Sequence, residues 1–199
     1  MAKETEQGLG TPLRFEADPE TKRKKGAYRP VFADVFTLPG ASPAKIEKVH
    51  LLVNPFAGKK RGRAVAAQVV ELVERAGIEI AVLYSAYSGH LVTMASALEV
   101  GDHDIIAVVG GDGSLSEAIT GRMLLNGKRT ETFAIVPAGT GNSQAHDLRL
   151  STPEEAVEAM LNGRRQALDL ARVELTEGLP GSTGEVIVRY SHNLVTWGL

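Results

Sequence analysis

The chain has 199 residues, 43% hydrophobic and 23% charged, a composition that suits one large globular domain or one domain with a piece of another. A net charge of −2 gives no overall basic field to draw the protein onto nucleic acid or an anionic membrane, and the absence of cysteine excludes disulfides, thiolate metal sites and cysteine nucleophiles. No stretch approaches the roughly 20 apolar residues of a spanning helix. The polar N-terminus, with Glu4 and Glu6, lacks a signal peptide's apolar centre. A cytoplasmic location is therefore expected, any membrane contact being peripheral, at intracellular membranes.

Residues 1–45 contain scattered Pro and Gly and no sustained period, and are read as an irregular or disordered extension. Within it, Val31-Phe32 and Val35-Phe36 could form one strand or dock on the domain. The basic run Lys22-Arg23-Lys24-Lys25 follows Glu16, Asp18 and Glu20 and reads as a solvated tail. From Lys48 the pattern becomes regular. Val49 to Val53 is a short apolar run ended by Asn54-Pro55, a buried strand entering a loop. Val65, Val69, Leu72, Val73 and Ala76 recur at helical spacing, with Gly77 as a stop. Ile78 to Tyr84 is β-branched and apolar, a second strand. Leu91 to Leu98 suits a helix after the turn Ser88-Gly89-His90. Asp104 to Val109 is a third strand, entering Gly110-Gly111-Asp112-Gly113. Leu115, Ala118, Ile119 and Met123 form a helical stripe, and Phe133 to Val136 is a fourth strand entering Pro137-Ala138-Gly139-Thr140-Gly141-Asn142.

After Leu150 the organisation changes. Ser151-Thr152-Pro153-Glu154-Glu155 offers a hydroxyl cap, Pro in the first turn and acids at the positive end, so a helix should run to about Asn162-Gly163. Ala167 to Leu175 and Glu185 to Val195 read as two strands around a Gly/Pro turn. The pattern stops at Trp197-Gly198-Leu199. The expected organisation is an extension over 1–45, a kinase-like nucleotide-binding domain over 46–150, and a linker helix with the truncated start of a β-rich domain over 151–199.

Alternating strands and helices, with strands apolar throughout, predict an α/β fold: a Rossmann-like parallel sheet with helices on both faces. Ligands of such sheets sit beyond the carboxyl ends of the strands, where all four Gly/Asn/Asp/Thr-rich loops fall. Gly110-Gly111-Asp112-Gly113-Ser114 joins a strand to a helix. Its glycines let backbone N–H groups approach phosphate oxygens, and the helix N-terminus adds positive potential. Ser114 would give a hydroxyl to a phosphate or cap the helix. Asp112 repels phosphate, so a phosphate cradle has no structural need of it. A base or a metal-linked carboxylate is expected there, a tight turn being the plainer alternative. Two common phosphate motifs do not fit. Gly58-Lys59 is followed by Lys60 where a P-loop has Ser or Thr, and the glycine cluster lacks the third glycine of the dinucleotide fingerprint.

The blocks LLVNPFAGKKRG, SAYSGH, VVGGDGSLSEAITG and IVPAGTGNSQAHDL resemble, in order and spacing, the diacylglycerol kinase catalytic domain family over Lys48 to Leu150. The closing SHNLVTWGL is similar to the sphingosine kinase and ceramide kinase branch. The resemblance implies the fold of the ATP-NAD kinase and phosphofructokinase-like N-terminal domain. It implies ATP and Mg²⁺ as cofactors, and a lipid hydroxyl as acceptor, most of all that of a sphingoid base, with diacylglycerol or ceramide as alternatives. Asp112 matches the family's proton acceptor. Asn54, Ser85, His90, Gly110, Gly111, Gly113, Ser114, Glu117, Gly139, Thr140, Gly141 and Asn142 match its nucleotide-binding positions. No metal-ligating side chain and no nucleic acid partner are expected. Ser85 and Ser114 stand where Thr is more frequent and keep the hydroxyl. Ser143 stands where many members have Asp, which speaks against a diacylglycerol-specific enzyme. Taken singly, His90 would be a helix-start residue, Glu117 a solvated one, and Lys59, Lys60, Arg61 and Arg63 an exposed face or phosphate neutralisers. The rivals are an NAD kinase or phosphofructokinase, which also use GGDG loops, and a nucleotide-binding fragment without catalysis that lacks the lipid domain.

Overall fold

The computed structural model describes residues 45–126, 130–163, 165, 167–176 and 185–193. Residues 1–44 of the expected extension, the Gly/Pro turn from Gly178 to Gly184 and the closing 194–199 lie outside the described residues. Strands β1 (Lys48–Val53), β2 (Glu79–Tyr84), β3 (Asp104–Gly110) and β4 (Thr132–Pro137) form one parallel sheet in the order β2-β1-β3-β4. Val53 pairs with both Tyr84 and Val109, and Gly110 pairs with Pro137. All four strands therefore end on one edge, and the four loops singled out in the sequence leave from it together.

The helical elements are α1 (Ala57–Lys60, a single turn with left-handed backbone at Gly58 and Lys59), α2 (Gly62–Arg75), α3 (His90–Ser96), α4 (Asp112–Met123), α5 (Ser143–Asp147) and α6 (Pro153–Asn162). The two-residue period of the strands divides the core. Val49, Leu51 and Val53 of β1 and Ile105, Ala107 and Val109 of β3 pack with α2 and α6. Leu52, Ile106, Val108 and Ile135 face α3, α4 and α5. A strand covered on both faces has no position for a solvated side chain, which is why β1 and β3 read as unbroken apolar runs. β2 departs from that expectation: it is an edge strand, and its last residues Leu83 and Tyr84 are exposed.

The buried side chains of Arg122 and His50 are paired. The Arg122 guanidinium is 4% exposed. It donates through Nη1 to the Ala95 and Leu98 carbonyls at 3.0 and 2.7 Å, closing the end of α3. Through Nη2 it holds Glu131 Oε1 at 2.7 Å, just before β4. At the opposite end of the sheet from the four loops, His50 Nε2 lies 2.9 Å from Asp104 Oδ2. The predicted helix start after Leu150 is present as a capping box: Thr152 Oγ1 accepts the Glu155 N–H, and the Glu155 carboxylate accepts the Thr152 N–H.

A separate antiparallel hairpin follows, β5 (Ala171–Thr176) with β6 (Val186–Ser191), beginning later than the predicted Ala167. It is laid on α4 by the buried Thr120 hydroxyl, which accepts the Tyr190 N–H at 2.9 Å. That anchor sets where the residues after β6 fall relative to the rim. Among the described residues no helix is long and apolar enough to cross a membrane.

Candidate functional site

At the rim, the loop after β1 is folded back on itself. Asn54 Oδ1 accepts the Phe56 N–H at 3.0 Å, and Asn54 Nδ2 donates to Ser114 Oγ at 3.1 Å, tying the first loop to the third. The chain then enters α2 through a left-handed turn with Gly58, Lys59 and Lys60 at φ of 51°, 61° and 66°. A β-carbon on Gly58 would lie 1.9 Å from the Ala138 carbonyl oxygen, so this position brings the first loop against the fourth. Lys59 and Lys60 adopt the same backbone region without glycine's freedom.

The third and fourth loops meet through backbone. The Gly110 carbonyl accepts the N–H groups of both Ala138 and Gly139, at 2.9 and 3.0 Å. A β-carbon on Gly139 would lie 2.6 Å from the Gly111 Cα. Asn142 enters α5 in the left-handed region at φ 53° and donates from Nδ2 to the Gly139 carbonyl at 2.9 Å. Its Oδ1 is buried between Gly111 and Gly139 with no protein hydrogen-bond partner. Gly113, Thr140 and Gly141 are exposed, and no side chain stands where a β-carbon of Gly113 would be.

Asp112 lies between these loops, with Oδ2 3.6 Å from the place of a Gly141 β-carbon. Besides the base, metal-linked and turn roles read from the sequence, the carboxylate has a structural duty. Oδ2 accepts the Ser143 N–H at 2.8 Å and Oδ1 the Gln144 N–H at 2.9 Å, so the carboxylate caps α5, whose own N-cap Asn142 makes no side-chain cap bond. Burial acts to raise the Asp112 carboxyl. The Gln144 and Ser143 amides and the neighbouring His192 outweigh it and hold the group below the ordinary carboxylate value. Ser114 does not cap α4: Gly111 is the N-cap residue, and the Ser114 hydroxyl accepts from Asn54 instead.

The other expected residues form a second cluster on the same edge. Ser85 is buried at the end of β2, its N–H on the Val53 carbonyl at 2.8 Å. His90 starts α3, accepts the Ala86 N–H on Nδ1 at 3.0 Å and stacks on Tyr87. Glu117 accepts the Gly89 N–H at 3.0 Å, binding that block to α4. Among the basic residues, Arg61 donates to the Gly58 carbonyl, Arg63 lies over the Tyr84 ring at 4.5 Å, and Lys59 and Lys60 are exposed.

Two residues at Asp112 were not foreseen. His192, 8% exposed, reaches the Asp112 carbonyl with Nε2 and the Gln144 Oε1 with Nδ1, both at 3.2 Å. No local pattern marks either, since the contacts span 80 and 48 residues.

The rim and the foot of the sheet share an acid sensitivity. Burial acts to raise Asp104, but the Gly101 N–H and His50 hold it below its ordinary 3.8, as the amides hold Asp112. A depressed folded value stabilises the fold in full above the unfolded value and loses that contribution as pH falls through the folded one. Stability should therefore drop as pH is lowered beneath 3.8, and Asp104→Asn should flatten the drop. Urea midpoints at pH 7, 4.5 and 3 check this.

Comparison with known proteins places this arrangement. The family described as Diacylglycerol kinase catalytic domain matches residues 48–173. Sphingosine kinase B of Dictyostelium discoideum is 31% identical over 143 residues, 69% of this chain and 18% of that protein. Sphingosine kinase 1 of Arabidopsis thaliana is 30% identical over 154 residues, 73% of this chain and 32% of that protein. The crystal structure of a diacylglycerol kinase from Bacillus anthracis str. Sterne superposes with a TM-score of 0.51 at 26% identity, over 65% of this chain and 43% of that one. The chain thus spans under half the length of each of these relatives. With the family matched from β1 into β5, the chain belongs to the diacylglycerol kinase catalytic domain family.

Proposed function

We propose that this chain is the nucleotide-binding part of an ATP-dependent lipid kinase, which transfers the γ-phosphate to a lipid hydroxyl, that of a sphingoid base before diacylglycerol or ceramide. The observation that carries the reading is the Asp112 carboxylate held between two glycine loops at the carboxyl edge of a parallel sheet. Support for the sphingoid base comes from the two sphingosine kinases, at 31% and 30% identity, against 25% for a diacylglycerol kinase of Bacillus subtilis.

Exposed backbone at the rim supports a triphosphate there. Gly113 and Gly141 leave backbone uncovered, no side chain of the N-cap residue closes α4, and exposed Lys59 and Lys60 lie on the adjoining loop. Mg²⁺ bound with the nucleotide would supply neutralisation of the phosphate charge. Glycine amides would hold the phosphates, and Asn54 with Ser114 would fix the loop beside them. In a loose phosphoryl transfer the protein mainly positions and balances charge. A carboxylate kept ionised can accept the hydrogen bond of the lipid hydroxyl, orient its oxygen in line, and take the proton as the new P–O bond forms and the bond from the γ-phosphorus to the bridging oxygen breaks, with ADP leaving. The domain division at residues 46–150 and 151–199 is part of the same reading, with the hairpin opening the lipid-binding half.

A labelled-ATP assay offering sphingosine, diacylglycerol, ceramide, NAD and fructose 6-phosphate side by side tests this. Label in sphingosine 1-phosphate is the expected result, and label in NAD or the sugar alone defeats it. A second reading is a chain that binds nucleotide without transferring phosphate. ATP titration beside the transfer assay separates the two.

A further inference from the structure

His192 touches the main chain of Asp112, and it does so from another part of the chain. β6 is fixed to α4 by the two contacts between Thr120 Oγ1 and the Tyr190 backbone, at 2.9 and 3.4 Å. Two residues further on, the buried His192 ring spans two groups. Nε2 faces the Asp112 carbonyl, which can only accept, so Nε2 carries the hydrogen. Nδ1 is then an acceptor, so the Gln144 carboxamide, 3.2 Å away, meets it with the NH₂ end after a half-turn of the amide plane. Gln144 in turn supplies one of the two backbone amides that hold the Asp112 carboxylate. The ring therefore grips both ends of one arrangement: the main chain of Asp112 and the residue whose amide aims its side chain. α5 has only five residues and makes no cap bond from its own N-cap side chain. Isolated helices of that length do not hold themselves in water, so its placement depends on such outside contacts.

We propose that His192 is a positioning residue for Asp112, setting the direction of its carboxylate by bracketing the Asp112 backbone and the Gln144 side chain. The role rests on Asp112 being the proton acceptor only for its kinetic consequence, since the bracket is a property of the folded chain. It also gives the hairpin a function in the site: the segment that leads toward the β-rich half is connected, through one imidazole, to the group that would meet the lipid hydroxyl.

The test uses the whole 199-residue chain with His192→Phe, which keeps an aromatic ring without nitrogens, His192→Ala as a smaller side chain, and His192→Gln, whose amide can still donate to the Asp112 carbonyl. Hydrogen exchange of the Ser143 and Gln144 amides, read by NMR, reports the grip on the carboxylate. Phe and Ala should lower protection of both amides about tenfold while the Tyr190 amide keeps its protection, and Gln should recover most of the loss. In phosphoryl transfer, Phe and Ala should lower kcat about ten- to a hundredfold with the KM for ATP unchanged, and Gln should restore it. Unchanged protection of Ser143 and Gln144 in the Phe and Ala variants overturns the proposal. So does an equal loss at Tyr190 or a Gln variant no better than Phe, since either means that the ring only fills space. Lost protection without a change in kcat would leave the bracket standing and remove Asp112 from the chemistry, so the two ideas fail separately.

Discussion

Asp112→Asn should lower phosphoryl transfer by about 10²- to 10⁴-fold, the range of a lost positioned base, while ATP affinity changes by less than about threefold. The amide is nearly isosteric with the carboxylate, so the loop keeps its shape. What changes is the ability to take a proton and the charge that balances the α5 amides. Asparagine can accept one of the Ser143 and Gln144 N–H groups through Oδ1, but its NH₂ then faces the other donor. Half of the cap is lost, at a cost of about 1 kcal/mol of stability. That loss is too small to mimic the kinetic effect, because a thousandfold in rate corresponds to about 4 kcal/mol. A thermal melt measured beside the assay separates the two contributions. Transfer by the Asn variant within about threefold of wild type would remove Asp112 from the mechanism and leave it as a cap for α5.

The sequence exposes the sheet readily and the site only in part, for one physical reason. β1 and β3 are covered on both faces, so their apolar runs could hardly be anything else, and the loops that follow them are marked by glycine. The capping box at Thr152 and Glu155 was readable because its partners are three residues apart. α5 was not, because five residues show no period, and its anchor is a carboxylate 31 residues earlier. The left-handed turn at Lys59 and Lys60 was hidden because lysine rarely adopts it. Asp112 shows the limit most clearly. Its type and place suggested chemistry, yet the structural duty of the same carboxylate depends on contacts across the fold. A functional reading of a residue does not exhaust it when a short helix needs a cap.

Gly139→Ala should weaken ATP binding about tenfold or more and cost about 1–3 kcal/mol of stability, the usual range for overpacking. The new methyl would stand 2.6 Å from the Gly111 Cα, 3.0 Å from the Gly111 N and 2.8 Å from Asn142 Oδ1. Carbon atoms settle at about 3.5–4.0 Å, so the two glycine loops must separate by roughly an ångström. Neither neighbour on Gly111 is the end of a flexible side chain that could turn aside; both are backbone. The separation strains the Gly110 carbonyl, which accepts from Ala138 and Gly139 together, and the Asn142 bond to the Gly139 carbonyl. Those contacts set the spacing of the amides that would hold the phosphates, and an error of that size is enough to lose much of a positioned interaction. Gly113→Ala is the informative companion. Its methyl meets no atom within 4 Å beyond its chain neighbours and the backbone of its own helix, and the residue lies in the first turn of α4, so stability should hold or rise slightly. If ATP binding still falls, the open space above Gly113 is where the phosphates sit. If Gly139→Ala binds ATP as the wild type does, the two loops are not the cradle, whatever their resemblance to one.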